Sequence, residues 1–289
     1  MVDVLIGGIL RGGIYVLIAL GLSLVWGVMK IPNFAHGEFY LIGAYACYFG
    51  IKSFGLPPTV AVIFAALVGL IMGAVIEKLT FCQLRKRSRG NWVTNAFLVA
   101  AGISFIIQNL AQYLFTANYF GVEKLWGGNL LIADFRISMD RLIAFAIAMV
   151  ALLVFWLFLK KTRIGNAILA VSEHEMGAML MGVEIDMIHT LTFSLSCMLC
   201  ALAGAALLSI TPAYPTMGLA PTLAAWFVVI LVGLGNMEAT IVGGFIVGLI
   251  EVSSTYYLGA AWQSAVSLSV IVLILLFKPK GLFGKAAKI

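Results

Sequence analysis

The segment from residue 30 to residue 38, KIPNFAHGE, concentrates polar side chains that could bind a small polar molecule. Asn33 offers an amide, His36 an imidazole and Glu38 a carboxylate. A proline and Gly37 interrupt the helix around them. In membrane proteins such breaks expose polar groups to water-filled paths, and a helix that starts here would also favour an anionic group such as a carboxylate. The pattern predicts pathway residues or, as an equal alternative, side chains that cap the following helix and fix a bend.

Three amide side chains, Gln108, Asn109 and Gln112, interrupt the apolar run from Trp92 to Phe115. Asn109 and Gln112 are three residues apart, and Gln108 and Gln112 are four apart, so they share one face of a helix. We expect this face to look into a helix bundle. There the amides would form interhelical hydrogen bonds or, alternatively, line a polar path.

Few acidic residues lie within the apolar runs, and a proton or sodium relay would have to use Glu38, Glu77 or Glu251. Glu77 adjoins the basic end of its apolar run, and Glu251 lies toward one end of its own. Both positions predict carboxylates at the membrane interface rather than members of a relay.

The stretch from Lys160 to His189 differs most from its surroundings, because it places many charged residues and two histidines between long apolar runs. So many charges do not fit in hydrocarbon, and the stretch must lie in water. Its apolar residues recur at spacings of three and four, which predicts short helices with one apolar face. They are Ala167, Ile168, Val171, Met176, Met179, Leu180 and Val183. This face would pack on the chain's own membrane helices or on lipid headgroups, or it would dock a soluble protein.

The composition is typical of an integral membrane protein. Of 289 residues, 63% are hydrophobic and 10% are charged, against roughly a quarter charged in soluble domains. The apolar runs are about 17 to 25 residues long, which favours helices over the strands of a membrane barrel. The first run, Val4 to Val28, exceeds a signal-peptide core and should remain as a helix. Gly8 with Gly12, and Gly69 with Gly73, have the spacing that permits close helix approach.

We predict an all-α polytopic bundle of eight or nine transmembrane helices that forms a single domain over residues 1–289. A broken or re-entrant helix is expected near residues 30–38. A helix over residues 219–234 would be about 24 Å long, shorter than a bilayer core of about 30 Å. Leu130 to Ile137 alternates weakly between apolar and polar residues, which would allow a short strand or hairpin between two spans.

Basic residues cluster at the ends of the apolar runs. Despite a net charge of +6, this indicates orientation across a bilayer rather than binding to nucleic acid. The strongest cluster, Arg85 to Arg89, is predicted to lie in the cytoplasm. The same rule places residues 30–37, residues 160–188 and the basic tail on that side. With nine spans, the N-terminus would lie outside.

The sequence lacks the motifs of a hydrolytic or redox enzyme. A P-loop needs two glycines around four residues before Lys-Ser or Lys-Thr, whereas Gly284-Lys285 is followed by alanine and has no glycine at the required earlier position. The sequence also has no H-E-x-x-H or G-x-S-x-G motif. Its four cysteines lie in or beside apolar runs without the spacing of a metal site. We therefore expect no catalytic residue, no metal and no cofactor.

Several short motifs are spread along the chain. They are INFAHGE at residues 31–38 with a proline after Ile31, TRIGNAILAVSE at 162–173 followed by LMGVEID at 180–186, LTFSLSCMLCALAGAALL at 191–208, LVGLGN at 231–236 and KPKGLFG at 278–284. In this order they resemble the permease subunits of branched-chain amino acid ATP-binding-cassette importers, the LivH type, over essentially the whole chain. The resemblance implies a multi-pass protein of the inner or plasma membrane of a bacterium or archaeon.

By this resemblance, the chain pairs with a second, homologous permease and forms the translocation pathway with it in the lipid bilayer. Two cytoplasmic ATPase subunits supply ATP hydrolysis, and an extracytoplasmic binding protein delivers a branched-chain or related amino acid. Residues 160–189 then form a cytoplasmic coupling loop that inserts into an ATPase subunit. The residues expected to make this contact are Arg163, Gly165, Glu173, Glu175, Met176, Met179, Leu180, Met181 and Gly182.

Two other classes of protein stay open at this point. A secondary carrier or channel for small polar solutes such as urea or amides would work without an ATPase, and relatives of the LivH type also carry such solutes. A structural scaffold or sensor would dock the same soluble partner and move nothing. Transport by the chain without partners would identify the first class, and a deletion strain with normal uptake would favour the second.

Overall fold

The computed structural model describes residues 2–87, 92–132 and 135–284. Arg89 of the predicted basic cluster and Lys285 of the predicted basic tail lie outside the described residues. The helices are α1 (Val2–Met29), α2 (His36–Lys52), α3 (Pro58–Ile76), α4 (Cys82–Arg87), α5 (Trp92–Phe115), α6 (Met139–Lys161), α7 (Arg163–Glu173), α8 (Glu175–Leu180), α9 (Ile185–Ala206), α10 (Leu219–Val232), α11 (Met237–Leu258) and α12 (Gln263–Phe277).

Within the described ranges, seven helical segments are long and apolar enough to cross a membrane. They contain α1, α3 with α4, α5, α6, α9, α11 and α12. α10 is a shorter apolar helix of 14 residues, as the sequence predicts for residues 219–234. α2, which follows the predicted break, has 17 residues. The structure confirms an all-helical polytopic membrane protein with a broken helix at residues 30–38.

α1 lies at the centre of the bundle and is the most buried of the membrane-spanning segments. It packs against α6, α9, α10 and α11, and its contact with α11 is the most extensive between any two helices described. A Cβ added to Gly248 of α11 would lie 2.6 Å from the Cα of Gly12. Glycines on both helices therefore allow the two backbones to touch, as the spacing of Gly8 and Gly12 predicts.

α3 continues through a π-helical turn, Glu77–Phe81, into α4. Gly69 and Gly73 of α3 face α9, where an added Cβ would press on Ala201 and Cys197. π-helical turns inside longer helices are rare and frequently occur at functional sites. This one places the side chain of Glu77 against α9, where Thr190 donates a hydrogen bond to its Oε2 at 2.6 Å.

A hairpin lies in the segment between α5 and α6. Its strands, β1 (Asn129–Ile132) and β2 (Phe135–Ser138), are antiparallel, with Asn129 opposite Ser138 and Ile132 opposite Phe135. This confirms the short hairpin that the alternation over residues 130–137 suggests. A single bridge between Phe120 and Ala213 joins the same segment to the residues before α10.

Candidate functional site

The chain changes direction between α1 and α2 within residues 30–35, none of which is helical. Lys30 adopts a left-handed conformation with a φ of 55°. The side-chain oxygen of Asn33 accepts a hydrogen bond from the backbone nitrogen of Ala35 at 3.1 Å. Asn33 thus stabilises the turn that leads into α2, which supports the capping interpretation for this residue.

His36 holds the start of α2 against two neighbouring helices. Its Nε2 lies 2.9 Å from the carbonyl oxygen of Ile18 in α1, and its Nδ1 lies 3.4 Å from the hydroxyl of Ser196 in α9. Because a carbonyl oxygen only accepts hydrogen bonds, Nε2 must carry a proton. Ile18 is close to the middle of α1, so α2 begins about half-way along α1 rather than beside its end. A helix that begins inside the bundle is typical of the broken helices of transporters.

Gly37 joins the beginning of α2 to the beginning of α10. Its backbone nitrogen donates to the hydroxyl of Thr222 at 3.0 Å, and that hydroxyl donates to the carbonyl of Gly218 at 2.8 Å. A Cβ added to Gly37 would overlap the carbonyl oxygen of Gly218. Only glycine therefore permits this approach, which brings the N-terminal ends of two helices together.

Glu38 lies in the first turn of α2 and is only 1% exposed. Its Oε1 accepts hydrogen bonds from the hydroxyl of Ser104 at 2.9 Å and from the amide of Gln108 at 2.7 Å. Ser104 and Gln108 lie one turn apart near the middle of α5. The structure thus brings together Glu38 and Gln108, which belong to two separate polar groups in the sequence.

The other two amides of the α5 stripe do not share this site. Asn109 is exposed and donates to the carbonyl of Phe105 in its own helix at 2.8 Å, and Gln112 is also exposed. The expectation that the whole stripe looks into the bundle is wrong for these two residues. The buried residues of α5 define the face that packs on the bundle. At 3.6 residues per turn, Gln108 lies at the edge of this face, and Asn109 and Gln112 lie on the opposite side of the helix. These buried residues are Ala96, Ala100, Ile103 and Ala111.

An aromatic cluster, Trp26, Phe34, Phe97 and Trp226, lies beside the break. Phe34 stacks on Trp226 of α10 with ring centroids 5.2 Å apart and meets Phe97 of α5 edge-on at 5.2 Å. Trp226 in turn contacts Trp26 of α1 edge-on at 5.9 Å. Sequence reasoning did not select these residues, because their spacing does not distinguish them from ordinary core aromatics. Phe34 and Phe97 are exposed, so the cluster offers an apolar surface next to the polar site.

Three buried polar atoms of this region have no hydrogen-bond partner among the described residues. They are Oε2 of Glu38, Nδ2 of Asn33 and Nε1 of Trp226. Buried polar atoms in folded proteins almost always have a partner. The region around the break therefore contains one acceptor and two donors that no described residue satisfies.

The predicted coupling loop forms two short helices with well-defined ends. The hydroxyl of Thr162 accepts from the backbone nitrogen of Gly165 at 2.9 Å and caps α7, and Nδ1 of His174 accepts from that of Gly177 at 2.7 Å and caps α8. Gly182, with a φ of 85°, ends α8 in a left-handed conformation that glycine adopts without strain. These bonds fix the shape of the loop.

The apolar face of the loop is divided between two environments. In α7, Ile168 and Val171 are buried against the membrane helices. In α8 and just after it, Ala178 is buried, but the larger side chains Met176, Met179, Leu180 and Met181 are exposed, up to 79% for Leu180 and 85% for Met181. The predicted contact residues exposed to solvent are Arg163, Glu173, Glu175, Met176, Met179, Leu180, Met181 and Gly182. Gly165 is buried instead, because it packs on the backbone at the end of α6.

A network of charged side chains connects the end of this loop to the bundle. Asp186, the second residue of α9, pairs with Arg85 at 2.7 Å and with Lys86 at 3.4 Å. Arg85 also pairs with Glu77 at 3.2 Å, and Glu77 accepts from Thr190. The side chain of Glu77 is fully buried in the protein, with these donors as its partners, and its position at the membrane interface stays a prediction.

Glu251 is also buried in the bundle, at 2% exposed, and its position at the membrane interface stays a prediction. It accepts hydrogen bonds from Tyr15 and from Gln263, the latter at 2.6 Å, and pairs with Arg11 at 3.6 Å. Gln263 is only 12 residues from Glu251, whereas Tyr15 lies in α1, 236 positions away, so the position of Glu251 near the end of its apolar run does not reveal its partners in α1.

These features together define a multi-pass helical membrane protein with a polar site at a helix break. Residues 4–275 match the family model described as "Branched-chain amino acid transport system / permease component", and the chain belongs to this family, so it is a transport subunit rather than an enzyme.

Relatives named for branched-chain amino acid transport are similar over almost the whole chain. The chain is 28% identical over 292 residues to the high-affinity branched-chain amino acid transport system permease protein LivH of Escherichia coli strain K12, covering 96% of this chain and 94% of that protein. It is 27% identical over 295 residues to the permease protein BraD of Pseudomonas aeruginosa, covering 97% and 95%. It is also 34% identical over 128 residues to the ribose import permease protein RbsC of Bacillus subtilis, covering 39% and 40%. No solved structure matches the chain significantly.

Proposed function

We propose that the chain is the permease subunit of an ATP-driven importer for branched-chain or related amino acids, working with a second permease, two ATPase subunits and an extracytoplasmic binding protein. Its family and its similarity to LivH and BraD, both named for branched-chain amino acid transport, support this substrate class. ATP binding and hydrolysis in the ATPase subunits would rock the helix bundles and alternate access to the two sides.

The observation that carries this proposal is the exposed apolar end of the coupling loop. α7 is anchored on the bundle through Ile168 and Val171, whereas Leu180 and Met181 contact little of the chain itself. Clustered exposed apolar side chains, rimmed by charged residues, mark protein interaction sites. Arg163, Glu173 and Glu175 supply the charged rim and would fix the register of the contact, with Met176, Met179, Leu180 and Met181 inserted into the ATPase subunit.

The pathway is proposed to pass the helix break. Residues 33–38 and Gln108 form a polar site about half-way along α1 and α5, where a solute that crosses the membrane must find polar partners. Asn109 and Gln112, on the exposed face of α5, would contribute where this face meets the second permease. The main role of Asn33, His36 and Gly37 would be to fix the geometry of the break. Glu38 would present the polar group that binds the solute.

The test introduces two negative charges into the coupling loop through the double substitution Met179→Asp and Leu180→Asp. Because aspartate does not enter an apolar cleft, the variant should lose co-purification of the ATPase subunits and ATP-driven uptake of L-leucine. Phe54→Asp is the matched control, since Phe54 is similarly exposed, at 69%, but lies between α2 and α3, at the opposite ends of these helices from the coupling loop. Its ATPase association should stay at the wild-type level.

Two outcomes would contradict the proposal. If the double variant kept both ATPase association and uptake, the loop would not be the coupling element. If the purified chain alone drove or facilitated solute entry into vesicles, it would be a secondary carrier or channel for small polar solutes such as urea or amides.

A further inference from the structure

The carboxylate of Glu38 is satisfied at only one of its two oxygens. Oε1 accepts from Ser104 and Gln108, whereas buried Oε2 has no hydrogen-bond partner among the described residues. None of the ion pairs within the described ranges involves Glu38. A buried carboxylate without a cation is costly in a membrane protein and marks a functional site.

The carboxylate of Glu38 itself occupies the position where two helix N-termini would otherwise attract an anionic ligand. Glu38 lies in the first turn of α2 and against Gly218, where α10 begins, so the positive ends of two helix dipoles meet near its carboxylate. The sequence suggested that a helix start here would attract an anionic ligand. The chain supplies that anion itself, and because an ionised carboxylate has no donor, its free oxygen can bind only a hydrogen-bond donor or a cation.

We propose that Oε2 of Glu38 binds the ammonium group of the transported amino acid. This inference rests on the proposed function and specifies which atom of the permease recognises the substrate. An ammonium group carries three donors and a positive charge, so it supplies both the hydrogen bond and the counter-charge that Oε2 lacks.

The rest of the region suits the other parts of an amino acid. Nδ2 of Asn33 and Nε1 of Trp226 are buried donors without partners among the described residues, and donors of this kind can bind a carboxylate. Phe34, which stacks on Trp226, and Phe97 are exposed beside them and provide an apolar surface for a branched side chain. The acceptor therefore lies at the start of α2, the donors lie on the break and α10, and the apolar surface lies on the break and α5.

In this structure the site is closed by the start of α10. A Cβ added to Gly218 would lie 2.7 Å from Oε2 of Glu38, which shows that the backbone there covers the oxygen. Gly37 and Thr222 hold the two helices together through one hydrogen bond of 3.0 Å. Binding of the ammonium group requires α10 to move away from α2, which would connect substrate binding to the opening of the pathway.

The bundle contains a matched control for this site. Glu251 is buried to a similar degree, but Oε2 of its carboxylate accepts from Tyr15 and Gln263 and also pairs with the cation of Arg11, whereas no described ion pair involves Glu38. Glu251→Gln removes a buried membrane carboxylate without touching the break. A general effect of losing such a charge would appear in both variants, whereas loss of an ammonium site would appear only in Glu38→Gln.

The test uses the complete transporter, purified with its partner subunits through a tag on this chain. ATP-driven uptake of L-leucine into proteoliposomes is measured first. Equilibrium binding is then measured in nanodiscs without the binding protein, with radiolabelled L-leucine and with 4-methylpentanoic acid, which has the same carbon skeleton without the amino group. Wild type and Glu251→Gln should prefer L-leucine by at least about tenfold, since a charge-assisted hydrogen bond contributes at least that much. Glu38→Gln should lose this preference and L-leucine uptake.

The possible results distinguish failure of the ammonium site from failure of the proposed function. A wild-type transporter that takes up L-leucine but shows no preference for the amino group, or a Glu38→Gln variant that keeps this preference, overturns the ammonium site and leaves the proposed function intact. Equal loss in both variants also overturns it, since it indicates a structural or proton-binding role. A wild-type transporter that takes up no branched-chain amino acid contradicts the proposed function instead.

Discussion

Arg85 of α4 donates two hydrogen bonds to Oδ1 of Asp186 in α9, from Nε at 3.1 Å and from Nη2 at 2.7 Å. The same Nη2 lies 3.2 Å from Oε1 of Glu77, in the π-helical turn that follows α3. Asp186 comes just after the exposed end of the coupling loop. Arg85 therefore connects this loop to two membrane helices, and we expect it to transmit movement of the loop to the bundle.

Loss of Arg85 should destabilise the protein more than loss of its partly exposed partner Asp186. Arg85→Ala leaves the fully buried carboxylate of Glu77 without its cation, which costs about 3 to 5 kcal/mol. Asp186→Ala removes a side chain that is 44% exposed, and loss of such a pair costs about 1 kcal/mol or less. Thermal unfolding of the purified protein in detergent should therefore show a clearly larger decrease in Tm for Arg85→Ala. A similar decrease for both would contradict the arrangement described.

The contact between α2 and α9 should depend on glycine at one position. A Cβ added to Gly43 would overlap the carbonyl oxygen of Ala201, so Gly43→Ala should destabilise the protein by about 1 to 3 kcal/mol. Gly102 of α5 is the control, since an added Cβ there meets no atom within 4 Å. Gly102→Ala should be neutral or slightly stabilising, because alanine favours a helix. The yield of folded protein and its Tm measure both effects, and a stable Gly43→Ala variant would refute the close packing.

His36 should stabilise the conformation of the break without binding the substrate. His36→Ala empties a fully buried site and removes the hydrogen bond to Ile18, which should cost about 2 to 4 kcal/mol. His36→Gln keeps a donor on a side chain of similar reach and should recover part of this loss. With a purely structural role, KM for L-leucine stays at the wild-type value in the folded fraction. A changed KM at unaltered Tm would instead place His36 in the pathway.

Sequence reasoning located the elements of the site but not their combination. The polar segment at 30–38 and the amides at 108–112 were found separately, since the spacing of residues along one helix does not show which helix lies opposite. Ser104, the second donor to Glu38, escaped notice because a single serine in an apolar helix is common. The inward face of α5 is set by small buried residues such as Ala100, which carry no polar signal.

What the sequence determined alone is the class of protein, the break at 30–38, the short helix near 219–234 and the apolar loop before α9. These follow from local properties: apolar run length, helix-breaking residues and helical periodicity. The tertiary structure decided that α2 and α10 begin at the same place, that Glu38 meets α5 there and that the first half of the loop packs down while the second stays exposed. Such contacts join residues up to about 185 positions apart, and they are set by which helices can approach each other closely, a property that no single stretch of sequence contains.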